Sequence, residues 1–446
     1  MAPAPSNPSR ICRLIDRMPP RWVLLVLLCA AVVVRGRFVL SQGEISDPDN
    51  YGTVALLIYQ GRTFGIYPPR FGLIRPTATR PPLYPLLLSS AYLVHLDAEG
   101  AAGLLHVVLA TLTVWAVWHL GRLWKLSPGV CLVAAALVTV DPILLAHSVE
   151  LMTETLAAAL AMVTLIAVTH FARENSILWA LLAGLFGGMC ILCRPEFLVW
   201  IVGVAIAFPC LAVGPRRALR VALYLAVAAA TLAPWGVRNY RLLGWPVVTT
   251  THGGFTLLLA NNPDFYEHLR SAPWGSTWDG NRIYQQSLDH LWTTARRTPE
   301  GPAYVDELAN DRWAYRQAFE NIRAEPAMFA WSCVVRVGRL WNVLPHQTSA
   351  DESASRRGMR WAVAIWYTFE FALAAAGAWF LCGKLFAAPW VWGTLLVLSI
   401  TAVHACYWTD MRMRAPLVGV VALAAAYGLA VLACRKPPAS AFGEGA

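Results

Sequence analysis

The sequence is poor in charged residues, and this is the first indication of its class. Only 14% of its 446 residues are Asp, Glu, Lys or Arg, whereas 57% are hydrophobic. Long uncharged runs recur, many of them near the ~20 residues that a membrane-spanning helix needs. The two or three soluble domains that this length would otherwise suggest are therefore excluded, and the composition predicts a polytopic membrane protein.

Cysteine is missing from the two long polar stretches, residues 41–82 and 236–330, so no disulfide framework is expected there. Cys190 and Cys193 form a C-x-x-C, but they lie in an apolar run, which favours packing over metal or redox chemistry. No pair of histidines has a spacing such as H-x-x-x-H. The histidines therefore predict no metal site.

The net charge of +10 does not indicate a nucleic-acid partner, because membrane proteins collect basic residues in their cytoplasmic loops. Residues 1–21 carry four arginines, and no convincing cleavage site follows the apolar run after them. This pattern predicts an uncleaved first helix with a cytoplasmic N-terminus. Ten spans then return the C-terminus, after Arg435 and Lys436, to the cytoplasm.

The predicted fold class is an all-α polytopic membrane protein with about ten transmembrane helices. Spans are expected at 22–40, 100–120, 128–145, a run ending at 171, 177–193, 197–213, 218–235, 361–382, 391–408 and a run ending before 435. Residues 82–95 are apolar but short, which predicts an interfacial helix. For residues 326–344 an interfacial helix is favoured, with a tilted span as the alternative.

This assignment divides the chain into five parts. They are a cytoplasmic tail 1–21, a transmembrane module 22–235 with its first external loop at 41–82, an external cap region 236–330, C-terminal interfacial and transmembrane helices 331–434, and a cytoplasmic tail 435–446. Within the cap, two charged helices are expected near 281–297 and 303–323. No hydrophobic run there could form a large core, so a small cap packed on the membrane part is expected.

Carboxylates cluster at two places on the predicted external side. Asp47 and Asp49 lie just beyond the first helix, where they could act as a general base or hold a divalent cation. Turn chemistry at Asp47-Pro48 is the alternative. Glu150 and Glu154 are one helical turn apart at the start of the fourth span, where favourable interaction with the helix dipole also explains them.

Arginines on the external side of short loops run against the positive-inside rule, and an anionic ligand would explain them. Arg194 stands between two apolar runs, where its partner would be Glu196 or a ligand phosphate. Arg412 and Arg414 precede Pro416 at a helix entrance. A phosphate at that entrance and snorkelling to lipid headgroups are competing interpretations.

A set of weak motifs follows one order along the chain. They are Asp47 with Tyr51, Ala55, Gly61 and Phe64, the block 76–85, Glu154 in TET, Arg194-Pro195, the block 234–240, Gly253-Gly254, 261–263, and Arg412 and Arg414 before Pro416. In this order they resemble the bacterial GT-C membrane glycosyltransferases, relatives of protein O-mannosyltransferases and of the aminoarabinose transferases of lipid A. The resemblance covers residues 40–430.

The resemblance implies an enzyme of the bacterial inner membrane that uses a polyprenyl-phosphate sugar as co-substrate. The sugar would pass, with inversion, to a hydroxyl of an envelope glycan, lipid or protein. Asp47 matches the first-loop catalytic aspartate, although Asp49 lies close to it, and Glu154 matches a second acidic position. Candidate contacts to the lipid-linked donor are Arg80, Tyr84, Arg194, Arg412 and Arg414. Met413 departs from the family, where a tyrosine is usual.

A transporter or a lipid-binding membrane protein is the alternative from another class. Transporters usually have repeated halves and broken helices near the midplane. This sequence has no internal repeat, and its polar residues gather at one predicted face. The enzyme is therefore favoured, with a cavity at that face as the expected structural sign.

Overall fold

Helices make up nearly all the regular structure of the computed structural model. It describes residues 20–41, 45–66, 75–94, 96, 98–174, 176–211, 214–273, 276–294, 296–298, 301–304, 306–347 and 352–434. The two predicted tails, 1–21 and 435–446, therefore lie outside the described residues, except for residues 20 and 21. Within the described part, the predicted all-α polytopic class is confirmed.

The first ten helices are α1 Pro20–Ser41, α2 Tyr51–Tyr59, α3 Leu83–Ala91, α4 Ala98–Leu123, α5 Pro128–Thr139, α6 Pro142–Ala146, α7 Glu154–Arg173, α8 Ile177–Cys193, α9 Phe197–Leu211 and α10 Arg217–Leu243. The others are α11 Gly253–Ala260, α12 Pro263–Ser271, α13 Asn281–Thr293, α14 Glu307–Ala324, α15 Pro326–Leu340, α16 Ala354–Leu381, α17 Val391–Cys406 and α18 Val418–Cys434. Short 3-10 turns lie at Tyr92–Val94, His147–Val149, Cys382–Phe386 and Met411–Leu417. Two small antiparallel hairpins pair β1 Gly65–Ile66 with β2 Arg75–Pro76 and β3 Arg296–Thr298 with β4 Gly301–Tyr304.

Six described helices are long and apolar enough to cross a membrane: Pro20–Ser41, Glu99–Leu123, Glu154–Arg173, Arg217–Leu243, Ala354–Phe386 and Met411–Ala433. A bent pair, Pro128–Thr139 with Pro142–Val149, would be a seventh span. Three shorter apolar helices, α8, α9 and α17, lie at the remaining predicted spans. Every predicted span therefore lies on an apolar helix or on the bent pair.

Two predicted helix boundaries need correction. The third span bends by 42° after Thr139, because Pro142 begins a new helix that Asp141 caps through its Oδ1, 2.9 Å from the Leu144 amide. The seventh span does not end at 235: α10 continues to Leu243 and stops at Gly244, whose φ is +73°. The part boundaries predicted at 235 and 330 thus fall inside α10 and α15.

Close backbone approach allows the last two long helices to pack together. A Cβ on Gly377 would lie 2.0 Å from the Ala424 carbonyl oxygen, and one on Gly428 would lie 2.1 Å from that of Leu373. Only glycine therefore allows α16 and α18 to pack this closely, as is typical of helix pairs in membranes. Almost all of α7 is buried among neighbouring helices. Its first residue, Glu154, lies at the candidate active site.

Candidate active site

Asp47 caps the start of α2 with both carboxylate oxygens. Its Oδ1 accepts a hydrogen bond from the Tyr51 amide at 2.8 Å, and its Oδ2 accepts one from the Gly52 amide at 2.9 Å. Asn50, which lies between Asp47 and Tyr51, has a φ of +60° and turns the chain into α2. Burial raises the pKa of Asp47 in spite of these amide donors. The result is a half-buried carboxylate, fixed by backbone, with lone pairs left over.

Asp49 is held by the end of the same loop. Arg80 Nη2 lies 2.6 Å from Asp49 Oδ1, and Arg80 Nε donates to the Asp49 carbonyl oxygen at 3.2 Å. The Arg80 guanidinium also lies over the Tyr51 ring, 5.8 Å from its centroid. The two aspartates that the sequence left equivalent therefore differ: Asp49 has a cationic partner, and Asp47 has only amide partners among the described contacts.

Backbone contacts fasten this loop to the entrance of α7. The Leu151 amide donates to the Ser46 carbonyl oxygen at 2.8 Å, and Ser46 pairs with Glu150 in a parallel bridge. Glu150 itself accepts from His147 Nδ1 at 2.7 Å, and this contact is the main reason that its pKa is lowered. The segment that carries Asp47 is therefore attached just ahead of Glu154.

Glu154 is the buried centre of the site. Its side chain is 1% exposed, and neither carboxylate oxygen accepts a hydrogen bond from a described residue. Arg412 Nε lies 3.9 Å from Glu154 Oε1, and Arg194 Nη2 lies 4.0 Å from the same oxygen. These distances allow Coulomb attraction but are too long for hydrogen bonds.

Each of the two arginines also rests on a weak acceptor. Arg194 Nη2 contacts the Met413 sulfur at 2.7 Å, and Arg412 Nη1 contacts the Met152 sulfur at 3.0 Å. A thioether is a poor hydrogen-bond acceptor for a guanidinium. In addition, Arg194 Nη1 is buried without a hydrogen-bond partner in the described chain. The site therefore holds guanidinium donors that a stronger acceptor could take.

Arg194 is oriented from behind by Glu196. Its Nε lies 3.1 Å from Glu196 Oε1, while His404 of α17 lies 3.6 Å from Glu196 Oε2. Of the two partners that the sequence suggested for Arg194, Glu196 is therefore in contact through Nε. The Nη atoms of the guanidinium face Glu154 instead. Glu196 and a ligand phosphate can therefore contact different nitrogens of the same side chain.

Arg414 and Tyr84 are directed elsewhere. Arg414 is 2% exposed, donates from Nη1 to the carbonyl oxygens of Leu340 and Asn342 at 2.9 and 2.5 Å, and lies over the Tyr367 ring. Tyr84 is fully buried, and its hydroxyl is 2.8 Å from His106 Nε2. Contact of either side chain with a donor stays a prediction, and neither joins the Glu154 cluster.

Some arginines on the predicted external side have structural partners. Arg35 donates from Nη1 to Ser148 Oγ at 2.9 Å, and Arg238 donates to the carbonyl oxygens of Thr77 and Phe64 at 2.7 and 2.5 Å. Arg238 also stacks on Trp235, 4.9 Å from the ring centroid. Fewer of these arginines are therefore available to a ligand than the distribution of charge along the sequence predicts.

Glu307 at the start of α14 is a residue that the sequence did not single out. Its carboxylate accepts from Thr77 Oγ1 at 2.7 Å, from the Ala78 amide at 2.6 Å and from Thr251 Oγ1 at 3.1 Å. Its side chain is 5% exposed, and Arg75 lies 3.6 Å away. These contacts of the Glu307 carboxylate, which we call the Glu307 clamp, fasten the first loop to the polar region between α10 and α15.

An apolar cavity of about 500 Å³ opens beside the first loop. Its walls include Leu86, Leu192, Pro234 and Trp235, and Arg62 is among its lining residues. Leu192 in this wall precedes Arg194 by two residues in the sequence. Among the residues that the structure describes, no group of three or more His, Cys, Asp or Glu side chains is placed to hold a metal ion.

The chain has limited similarity to known proteins. No curated protein sequence matches the chain significantly. Two crystal structures of ArnT from Cupriavidus metallidurans are similar. The form bound to undecaprenyl phosphate has 14% identity over 91% of this chain and 78% of that chain, with a TM-score of 0.39. The apo form has 13% identity over 90% and 77%, with a TM-score of 0.37.

The family model described as dolichyl-phosphate-mannose-protein mannosyltransferase matches residues 79–237. This range begins beside Arg80, contains Glu154 and Arg194, and ends at the α10 block that precedes Arg238. The enzyme interpretation of the sequence is thus confirmed over the transporter alternative. Over residues 79–237 the chain is similar to the mannosyltransferases that this family model describes.

Proposed function

We propose that the protein transfers a sugar from a polyprenyl-phosphate donor to an acceptor hydroxyl, with inversion at the anomeric carbon. The observation that carries this proposal is the convergence of Arg194 and Arg412 on a buried Glu154 that accepts no hydrogen bond from the described chain. The matching family is named for a sugar carried on a lipid phosphate, which supports this class of donor.

Arg194 and Arg412 are the proposed phosphate contacts. The arginine fork matches phosphate oxygens, and a phosphate is a far better acceptor than the methionine sulfurs that these side chains now touch. Glu154 attracts both guanidinium groups and so keeps the two cations together. When the sugar leaves, negative charge grows on the phosphate, and prearranged guanidinium donors stabilise it.

Asp47 is the proposed general base. It is half-buried, its position is set by two amides, and no arginine pairs with it in the described contacts, unlike Asp49. In the proposed step the acceptor oxygen attacks the anomeric carbon and the carbon–oxygen bond to phosphate breaks. Polyprenyl phosphate leaves, and Asp47 takes the hydroxyl proton. One displacement of this kind inverts the anomeric configuration.

The apolar cavity beside Leu192 is the proposed groove for the lipid chain of the donor. Its apolar walls suit a hydrocarbon chain, and one of them contains Leu192, two residues before Arg194. The basic residues that end α4 and begin α10 support a cytoplasmic position for those ends. The site would then face the outside of the bacterial inner membrane, where an envelope glycan, lipid or protein supplies the hydroxyl.

A substrate screen tests the proposal. The purified protein in lipid vesicles is supplied with one polyprenyl-phosphate sugar at a time and an extract of envelope acceptors, and products are identified by mass spectrometry. We expect at least one donor to yield free polyprenyl phosphate together with an acceptor that has gained one sugar. The Arg282→Ala variant is a matched control, because Arg282 is an exposed arginine paired with Asp264. Sugar donors that all remain intact would contradict the proposal.

A further inference from the structure

Two thiols meet where α15 packs against α17. Cys333 lies in α15 and Cys406 is the last residue of α17, and both are only partly buried. Arg336 joins the two segments, since its Nη2 lies 3.4 Å from the Cys333 sulfur and its Nε donates to the carbonyl oxygen of Ala405, the residue before Cys406. We propose that Cys333 and Cys406 form a disulfide that ties α15 to the end of α17 when the protein meets a thiol oxidant.

The backbone around both cysteines is already fixed in place. Arg336, one turn after Cys333, is fully buried and donates from Nε to the Ala405 carbonyl oxygen at 2.7 Å. Asn261 Nδ2 donates to the Cys406 carbonyl oxygen at 2.9 Å. A disulfide requires two Cα atoms at a short, defined separation. These hydrogen bonds hold the two segments together without the bridge.

The surroundings also favour reaction at Cys333. Arg336 Nη2 lies 3.4 Å from the Cys333 sulfur, where its positive charge stabilises a thiolate. The hydrogen bond from Cys406 lowers the pKa of Cys333 to about 6, against the opposing effect of burial and with further help from Arg336. Cys333 is therefore the attacking thiol, since the thiolate is the nucleophile in disulfide exchange.

The reaction is an ordinary thiol–disulfide exchange with a small external disulfide. The Cys333 thiolate attacks one sulfur of the reagent and releases one thiol, leaving a mixed disulfide on Cys333. The Cys406 sulfur then attacks Cys333, releases the second thiol and gives up its proton to solvent. The protein loses two hydrogen atoms and two electrons, and the reagent disulfide is reduced to two thiols.

The bridge would act close to the proposed active site without being part of it. The carbonyl oxygens of Leu340 and Asn342, at the end of α15, hold Arg414, which is two residues from Arg412. Cys406 leads directly into this segment. A bond between Cys333 and Cys406 would therefore restrain two segments near Arg412. They are the end of α15, which holds Arg414, and the chain that follows α17. The inference rests on the position of the thiols and does not depend on the proposed reaction.

Cysteine mapping on the full-length protein tests the disulfide. The reduced protein in detergent is incubated with bis(2-hydroxyethyl) disulfide, free thiols are blocked with N-ethylmaleimide, and peptides are mapped by mass spectrometry without reduction. We expect a peptide pair joined through Cys333 and Cys406, with both thiols protected from the maleimide. Cys210 and Cys382, which are exposed, serve as controls and should carry the reagent or the maleimide rather than a cross-link.

Variants and melting temperatures complete the test. Oxidised wild-type protein should melt at a higher temperature than the reduced protein, because the bridge restricts the unfolded chain. This difference should vanish in Cys333→Ser and in Cys406→Ser. Two separate adducts on Cys333 and Cys406, or full maleimide labelling of both after oxidation, would overturn the inference even if neither serine variant folds.

Discussion

Removing the Arg194 guanidinium should weaken donor binding and also lower the thermal stability of the protein. In Arg194→Ala, a bound phosphate loses the Nη1 and Nη2 donors. Among the described residues, Nη1 has no hydrogen-bond partner, and Nη2 contacts the Met413 sulfur with Glu154 4.0 Å away. A hydrogen bond to a charged group is worth about 1.5–3 kcal/mol, which corresponds to about a 10- to 150-fold loss of donor affinity. Arg194→Lys should recover part of this loss, because an ammonium cannot form the bidentate fork.

The same change leaves Glu196 without its partner at 3.1 Å, so the melting temperature should fall as well. Breaking a buried ion pair costs about 3–5 kcal/mol when one charge is left behind. Glu196→Gln separates the two effects. It keeps an oxygen for Arg194 Nε and removes the charge, so it should lower the melting temperature and alter donor affinity much less than Arg194→Ala does.

Donor binding is measured by titrating the polyprenyl-phosphate sugar that the substrate screen identifies into detergent-solubilised protein without acceptor. Stability is measured by intrinsic tryptophan fluorescence on heating. Arg282→Ala is the control for removal of an arginine, since its side chain is 73% exposed and distant from these contacts in sequence. Donor affinity that is unchanged in Arg194→Ala would refute the reasoning. If that variant does not fold, Arg194→Lys must still bind more weakly than wild type.

Three further predictions concern the supports of the site. Glu307→Gln weakens the Glu307 clamp, because an amide cannot accept all the hydrogen bonds that the carboxylate accepts. We expect a loss of stability of about 1–3 kcal/mol, as for a buried acceptor, seen as a lower melting temperature and faster proteolysis of the first loop. Equal proteolysis of the variant and the wild type would contradict this prediction. Arg412→Ala should reduce the transfer rate with a small effect on the melting temperature, because the Arg412 side chain is 31% exposed. Arg414→Ala should mainly lower the melting temperature, because Arg414 is buried. The reverse pattern would show that the two roles are exchanged. Burial raises the pKa of Asp311 to about 6 from 3.8, so the folded protein binds this proton more tightly than the unfolded chain does, and stability should fall as pH rises through about 6. Asp311→Asn keeps an acceptor for the Gly254 amide and should flatten this dependence in melting curves recorded from pH 4 to 7.

The helices could be predicted because apolar runs of spanning length are a direct consequence of the membrane environment. The bend after Thr139 was also visible in principle, since Asp141-Pro142 is a cap followed by a helix-starting proline. The continuation of α10 to Leu243 was not predicted, because the polar residues after Trp235 resemble a loop. Its tertiary contacts, such as Asn239 Nδ2 to the Val247 carbonyl oxygen at 2.7 Å, stabilise it there.

The candidate site was predictable where a charge interrupts an apolar run. Arg194 and Glu154 stand at such breaks, and they lie together in the structure. Arg412 and Arg414 could not be distinguished, since both have the same residue type at the same entrance and only the 3-10 turn directs them apart. Glu307 could not be found at all, because its partner Thr77 is 230 residues away in the sequence.

The most direct test of the central claim is the transfer rate of Asp47→Asn, measured on a sample whose donor affinity is determined in parallel. The amide keeps the shape of the side chain but cannot accept the acceptor's proton, so the rate should fall by about 10²–10⁴ while donor affinity stays near that of wild type. In the wild type, the rate should decline as pH drops through a pKa above the ordinary value of an aspartate, because burial raises the pKa of Asp47. Near-normal turnover in Asp47→Asn would contradict the account and would move the base to another carboxylate.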